Sequence, residues 1–216
     1  MTYLKRNKIG NFWPIPRKGT KYLAVASHNQ NESIPLSVIL RDILRLVKNK
    51  KELKRALNEK QVLINNKQIK ETNYPVCLFD ILTIGKKNYK AILSENKKMI
   101  FREIENKDSE TKIYKILNKK KLGEDKIQLN LTQGKNILSN EKIEVGDSVI
   151  LNLKDNKIIK KIPLEKGRTA FAIKGKHAGK SGKILEIMKR GSKKIAKIEH
   201  KGERINVWIK NIILTE

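Results

Sequence analysis

Apolar residues recur at helical spacing over three turns in one stretch of this chain, Leu36, Ile39, Leu40, Ile43, Leu44 and Val47. The spacing i, i+3, i+4, i+7, i+8, i+11 is one face of an α-helix, with Arg41, Arg45 and Lys48 on the other. Ser33 and Pro35 supply start signals and Asn49 a stop. A second, shorter helix is predicted over roughly Lys51–Glu59, with Leu53, Ala56 and Leu57 inward and Lys51, Lys54, Arg55 and Asn58 outward. Behind it, Val62-Leu63-Ile64 and Gln68-Ile69-Lys70 flank Asn65-Asn66-Lys67, where asparagines tolerate the positive φ of a tight hairpin. Val76–Ile84 adds a third extended segment.

Everywhere after this the pattern is short and extended. Tyr89–Leu93, Met99–Ile104, Ile113–Leu117, Ile127–Leu131, Ser148–Leu153 and Ile158–Ile162 alternate with turn formers such as Leu122-Gly123, Gln133-Gly134, Val145-Gly146-Asp147 and Asp155-Asn156. Strands at this spacing predict a small β-barrel or sandwich. Arg168–Ile173, Lys183–Met188, Lys194–His200, Arg204–Trp208 and Ile212–Leu214 form a last set, with glycine-rich links. The fold class is therefore α+β, mostly β. The expected divisions are a basic arm over 1–33, a helix-helix-hairpin module over 34–85, a central β domain over 86–166 and a C-terminal β domain over 167–216.

Charge decides what such a chain meets. Forty-nine Lys and Arg against 22 Asp and Glu leave +27, with a pI near 10.1, a field that recruits polyanions. Charged residues at 33% and hydrophobic ones at 38% support several small cores and not one large one. Residues 1–31 hold six basic residues and no acidic one, Lys5, Arg6, Lys8, Arg17, Lys18 and Lys21, and with Gly10, Pro14, Pro16 and Gly19 they read as an extended basic arm, disordered when free. Residues 164–216 carry 14 basic against 5 acidic residues. Aromatic residues make up 5% of the chain, which argues against a base-stacking surface and for recognition of folded RNA by backbone and shape.

The segment from Ile173 to Ile184 interleaves Gly175, Gly179 and Gly182 with Lys174, Lys176, Lys180 and Lys183, around His177. Glycine lets backbone N–H groups approach phosphates, and lysine neutralises them. Gly179-Lys180-Ser181 is not a nucleotide-binding loop, because Lys174 stands where the first glycine is required and a strand follows instead of a helix. His177 reads as a phosphate or sugar contact, and Trp13 and Trp208 as anchors that fix their segments. His28, His177, His200 and Cys77 are too scattered for a metal site. No nucleophile, base and orienter recur together. One cysteine permits no intramolecular disulfide and suits a reducing cytosol. The apolar stretch Leu36–Val47 is broken by Arg41, Asp42 and Arg45, so no membrane span is expected, and Met1–Thr20 has no signal-peptide core.

The unit from Leu36 to Ile84 resembles the RNA-binding module shared by bacterial ribosomal protein S-four, pseudouridine synthases and some tRNA synthetases, matching at Leu57, Val62, Ile64, Asn65 and Ile81. Where that module has Gly-Asp, this chain has Phe79-Asp80. The resemblance implies RNA contact through Arg41, Arg45, Lys51, Lys54 and Arg55, and Lys48, on the same outward face as Arg41 and Arg45, joins them as a candidate contact. Gly175-Lys176-His177-Ala178-Gly179 resembles the KOW motif, which implies an SH3-like barrel at the C-terminus. The order of these parts, with Phe12-Trp13-Pro14-Ile15-Pro16-Arg17-Lys18, Ile34-Pro35-Leu36, Leu40-Arg41-Asp42, Asn130-Leu131, Gly134-Lys135-Asn136-Ile137 and Val145-Gly146-Asp147, is similar to the small-subunit ribosomal protein family S-four-e of archaeal type. That resemblance implies a non-catalytic constituent of the cytoplasmic small ribosomal subunit. Its partners would be small-subunit rRNA and neighbouring ribosomal proteins, with one copy per ribosome, no cofactor, no metal, no small-molecule substrate and no membrane. A ribosome- or transcription-associated RNA-binding factor, or the targeting part of an RNA-modifying enzyme, would carry some of the same parts.

Overall fold

A computed structural model describes residues 3–122, 126–140 and 143–215. The first two residues of the arm and Gly123 of the predicted Leu122-Gly123 turn lie outside them. The chain forms two compact units, Met1–Glu110 and Thr111–Glu216.

The first unit begins with a correction. Residues 3–26 are not an extended arm. Strand β1 (Tyr3–Lys5) pairs antiparallel with β2 (Tyr22–Ala24), Leu4 facing Leu23, and closes the basic segment into a loop. Trp13, Leu23, Val25 and Ala26 are buried, and Ile9, Phe12 and Ile15 pack on the same core. The charge count hides these apolar residues, whose burial outweighs the mutual repulsion of exposed lysines. Two backbone contacts pin the segment: Met99 N–H donates to the Phe12 carbonyl at 2.8 Å, and Lys98 Nζ to the Trp13 carbonyl at 3.0 Å.

After β3 (Ser33–Pro35), helix α1 (Leu36–Val38) widens into a π-helix over Ile39–Ile43. The periodicity predicts helix through Val47, but Arg45 adopts a left-handed φ of 55° and ends it. The Leu40 carbonyl then accepts from Leu46 N–H at 2.8 Å, satisfying a group that helix termination would orphan. Asn49 does not stop this helix; it starts the next. Its side chain accepts from Glu52 N–H at 3.0 Å, while Glu52 reaches back to Lys48 N–H at 2.7 Å, a variant of the capping box that opens α2 (Lys50–Asn58). Lys60, at φ 59°, closes α2 with paired bonds from Lys60 N–H to Leu57 O and Gln61 N–H to Ala56 O.

Strands β4 (Val62–Ile64), β5 (Lys67–Gln68), β6 (Pro75–Cys77), β7 (Ile81–Ile84), β8 (Lys87–Leu93) and β9 (Met99–Ile104) follow. Asn65 and Asn66, at φ 50° and 60°, form the predicted tight turn between β4 and β5. β6 pairs with β3, and the other five make a sheet in the order β5-β4-β7-β8-β9. Spacing groups Tyr89–Leu93 and Met99–Ile104 with the central strands, yet both belong to this sheet. The cause is Gly85, at φ 58°, which with Lys86 makes a tight hairpin between β7 and β8 and so carries the chain back onto the same sheet.

The second unit holds β10 (Thr111–Lys121), β11 (Ile127–Leu131), β12 (Asn136–Ser139), β13 (Ser148–Asn152) and β14 (Ile158–Ile162), in the order β12-β11-β10-β13-β14. A register shift between Ile116 and Asn118 lets the first half of β10 pair with β13 and the second half with β11. β15 (Thr169–Ala172), β16 (Ser181–Arg190), β17 (Lys193–His200), β18 (Glu203–Trp208) and β19 (Ile212–Leu214) form a second sheet, ordered β18-β17-β16-β15-β19. Ile162 of β14 is buried among Ala170, Ile184, Ile198 and Leu214 of that sheet. Lys115, buried in β10, donates from Nζ to the Ile212 carbonyl at 2.8 Å and to the Ile209 carbonyl, tying the two sheets of this unit. Among the described residues no helix is long and apolar enough to cross a membrane.

Candidate nucleic-acid interface

The fold of the arm gathers its charges. Lys5, Arg6, Arg17, Lys18 and Lys21 line one concavity of about 610 Å³, with Asn7, Gly19 and Thr20 and, among the described residues, no acidic side chain. Lys8 is exposed and stands outside it. Arg6 serves the loop itself. Its Nε donates to Thr20 O at 2.7 Å, Nη1 to Pro16 O at 2.7 Å and Nη2 to Thr20 Oγ1 at 3.0 Å. Gly19 is required beside it, because a Cβ there would lie 2.8 Å from Arg6 Nη2 on a backbone at φ +142°. Arg6 therefore shapes the concavity, and Lys5, Arg17, Lys18 and Lys21 face solvent around it.

The helical module divides its basic residues in the same way. Arg41 forms a two-bond pair with its neighbour Asp42, Nε to Oδ1 at 2.9 Å and Nη2 to Oδ2 at 2.8 Å, and the hydrogen bond raises its pKa further. Arg55 pairs with Glu59 one turn on at 2.7 Å. Arg45, Lys48, Lys51 and Lys54 are exposed without an ion pair among the described residues. Half-screened arginines attract phosphate less than these four cations do.

In the glycine-lysine segment, which runs from the loop between β15 and β16 into the start of β16, only part faces outward. Lys174, Gly175, Lys176 and Lys183 are exposed, and His177 is half-buried. Gly179 is buried and its N–H donates to Ala172 O at 2.8 Å, so it offers phosphate nothing. Gly182 is needed for strand approach: a Cβ there would sit 1.9 Å from the Glu199 carbonyl oxygen. Lys180 lies 3.5 Å from Glu203. The reading of glycine N–H groups aimed at phosphate is corrected accordingly: Gly179 and Gly182 are structural, and the exposed charge comes from the three lysines.

Two expectations about aromatics separate. Trp13 is an anchor, 3% exposed in the core of the first unit. Trp208 is not; it is 48% exposed, because along β18 Ile205 and Val207 point inward and Asn206 and Trp208 outward. That alternation was the available signal. Tyr3 and Tyr22 are also exposed, their rings edge to face at 4.7 Å, with Lys21 Nζ 5.3 Å from the Tyr22 centroid. Among the described residues, a small aromatic total thus leaves three rings at the surface, two of them under lysines. No group of three or more metal-ligating side chains occurs among the described residues.

Comparisons with known proteins agree on one family. Residues 85–158 match the sequence model of ribosomal family S4e. The small ribosomal subunit protein eS4 of Nanoarchaeum equitans is 35% identical over 224 residues, covering 98% of this chain and 96% of that protein. The protein of the same name from Methanosphaera stadtmanae is 37% identical over 190 residues, covering 86% and 79%. The crystal structure of the 30S ribosomal protein S4e from Thermoplasma acidophilum shares the fold, with a TM-score of 0.74 at 22% identity over 85% of this chain and 94% of that one.

Proposed function

The chain belongs to ribosomal family S4e, and from that premise we propose that it grips small-subunit rRNA through the arm concavity, the exposed cations of the two helices and the lysines of the β15–β16 loop. It is a structural constituent of the small ribosomal subunit, as its relatives are named. In this reading it works without catalysis or cofactor, as one copy within the cytoplasmic ribosome, beside neighbouring ribosomal proteins. The C-terminal sheet with its glycine-lysine loop acts as the KOW-type barrel, and α1, α2 and the β4–β5 hairpin act as the S-four-like module.

The observation that carries this reading is the arm. Five basic side chains from two separated stretches, 5–6 and 17–21, converge on one concavity that no acidic group lines among the described residues. Repulsion among them is a cost that an isolated fold gains nothing from, and a polyanion removes it. Backbone phosphates are the matching ligand, and each one neutralised releases condensed counterions. Filter binding of the full chain to its small-subunit rRNA, titrated with salt, tests this. Replacing Lys5, Arg17, Lys18 and Lys21 by Gln lowers affinity and flattens the salt dependence; an unchanged slope refutes the arm contact.

A further inference from the structure

The second unit holds a groove of about 950 Å³ that phosphate contact alone does not explain. It lies between the middle of β10, the Val145-Gly146 turn, the hairpin joining β16 to β17 and the end of β18. Clefts that hold small ligands run to about this volume. Apolar side chains that folding ordinarily hides are open in it: Trp208 at 48% exposure, Leu117 at 53% and Val145 at 52%. Lysines surround them. Lys193 Nζ stands 4.2 Å from the centroid of the Trp208 ring, Lys194 and Lys210 are part of the lining, and no acidic side chain is among the described residues there.

An open indole ringed by cations discriminates between partners. A protein face would have to bring acidic groups to an apolar floor and desolvate both them and the amines. An apolar small molecule would leave the amines unused. An unpaired nucleotide uses both features, its base stacking on the ring and its phosphates meeting the lysines. The amine above Trp208 is on a flexible four-carbon stem, so an arriving base can displace it toward a phosphate.

We propose that this groove binds an unpaired RNA nucleotide, with its base stacked on Trp208 and its flanking phosphates held by Lys193, Lys194 and Lys210. The inference rests on the reading of the chain as an rRNA-binding protein and adds a mode to it. The arm and helices meet the RNA backbone, whereas Trp208 recognises a base that has left its helix.

The test uses the full chain and tryptophan fluorescence. A short single-stranded oligoribonucleotide quenches the exposed Trp208, while an RNA duplex and inorganic polyphosphate bind without quenching; the buried Trp13 supplies a constant background. Trp208→Leu, which keeps apolar bulk but no ring face, weakens single-strand binding by about 5- to 150-fold and leaves the salt slope alone. Trp208→Phe retains most of the affinity. Should Trp208→Leu disturb the fold by circular dichroism, Lys193→Gln with Lys194→Gln serves instead and lowers the single-strand salt slope by about 1.4. Equal quenching by polyphosphate overturns the inference, as does single-strand affinity that survives Trp208→Leu within about twofold. If that affinity survives while the arm substitutions still weaken rRNA binding, the groove assignment falls and the ribosomal reading stands. If the chain binds no RNA, both fall.

Discussion

Asn65 and Asp80 hold each other across the first unit, with Asn65 Nδ2 donating to Asp80 Oδ1 at 2.7 Å. The pair is one part of a hydrogen-bonded set. Asn65 Oδ1 accepts from Ile81 N–H at 3.0 Å, and Asp80 Oδ2 accepts from Cys77 N–H at 2.6 Å. Asp80 is buried, so its charge is solvated by these donors in place of water. The hairpin between β4 and β5 is thereby fixed to the turn before β7, where Phe79 stands at φ 64°.

Asn65→Gly keeps the backbone free to hold its positive φ but removes the side chain from Asp80 and Ile81. It is expected to destabilise the first unit by about 1–3 kcal/mol. Asn66→Gly, at φ 60° next door, changes stability by less than about 1 kcal/mol. Urea unfolding of the two variants separates side-chain bonding from turn preference.

Trp13→Ala should cost about 3–5 kcal/mol and release the arm. Trypsin is the probe, since the concavity holds Arg17, Lys18 and Lys21. Native chain resists cleavage there at enzyme levels that cut the variant. Rapid cleavage of native chain at these sites would show that the arm is open despite its buried anchor.

Much of this was legible in the residues, and the failures have physical causes. The strands of the second unit followed from alternation and turn glycines, except β12, where buried Ile137 is followed by an equally apolar Leu138 that is 63% exposed, so the residue types do not alternate. Asn65-Asn66 announced its turn. The end of the helical run at Arg45 did not announce itself, because a left-handed cap at arginine has no local signal. The basic residues of the site were legible as a class. Which of them serve the fold was legible only in part: Arg41–Asp42 and Arg55–Glu59 are neighbours in sequence or one helical turn apart, whereas Arg6 meets Pro16 and Thr20 only once the chain has folded. Gly182 likewise looked like a phosphate contact until Glu199 came to lie beside it.

Lys115 gives the second unit a pH dependence. Burial lowers its pKa from 10.5 to about 8. Between these values the unfolded chain holds a proton there that the folded chain has lost, so stability rises with pH across roughly 8 to 10.5 and is flat from this group below that window. The gain is at most about 3 kcal/mol. In Lys115→Met this rise disappears, and the difference between wild-type and variant unfolding curves at pH 7.5 and 10, about the two ends of the window, isolates it.

Charge pairing predicts which helix residues matter to RNA. Lys51→Gln with Lys54→Gln lowers the slope of binding against salt by about two contacts' worth. Arg55→Gln with Glu59→Gln removes a self-neutralised pair and leaves the slope near that of wild type. Equal effects of the two double variants would show that RNA breaks the Arg55–Glu59 pair on binding.

A structural constituent is built into the small subunit and does not merely visit it. Small subunits from the source cells, sedimented through a high-salt gradient and quantified by mass spectrometry against other small-subunit proteins, test it directly. Near one copy per subunit is expected before and after the wash. Loss of the chain in the washed subunits, with the other proteins retained, would contradict it and mark a dissociable factor.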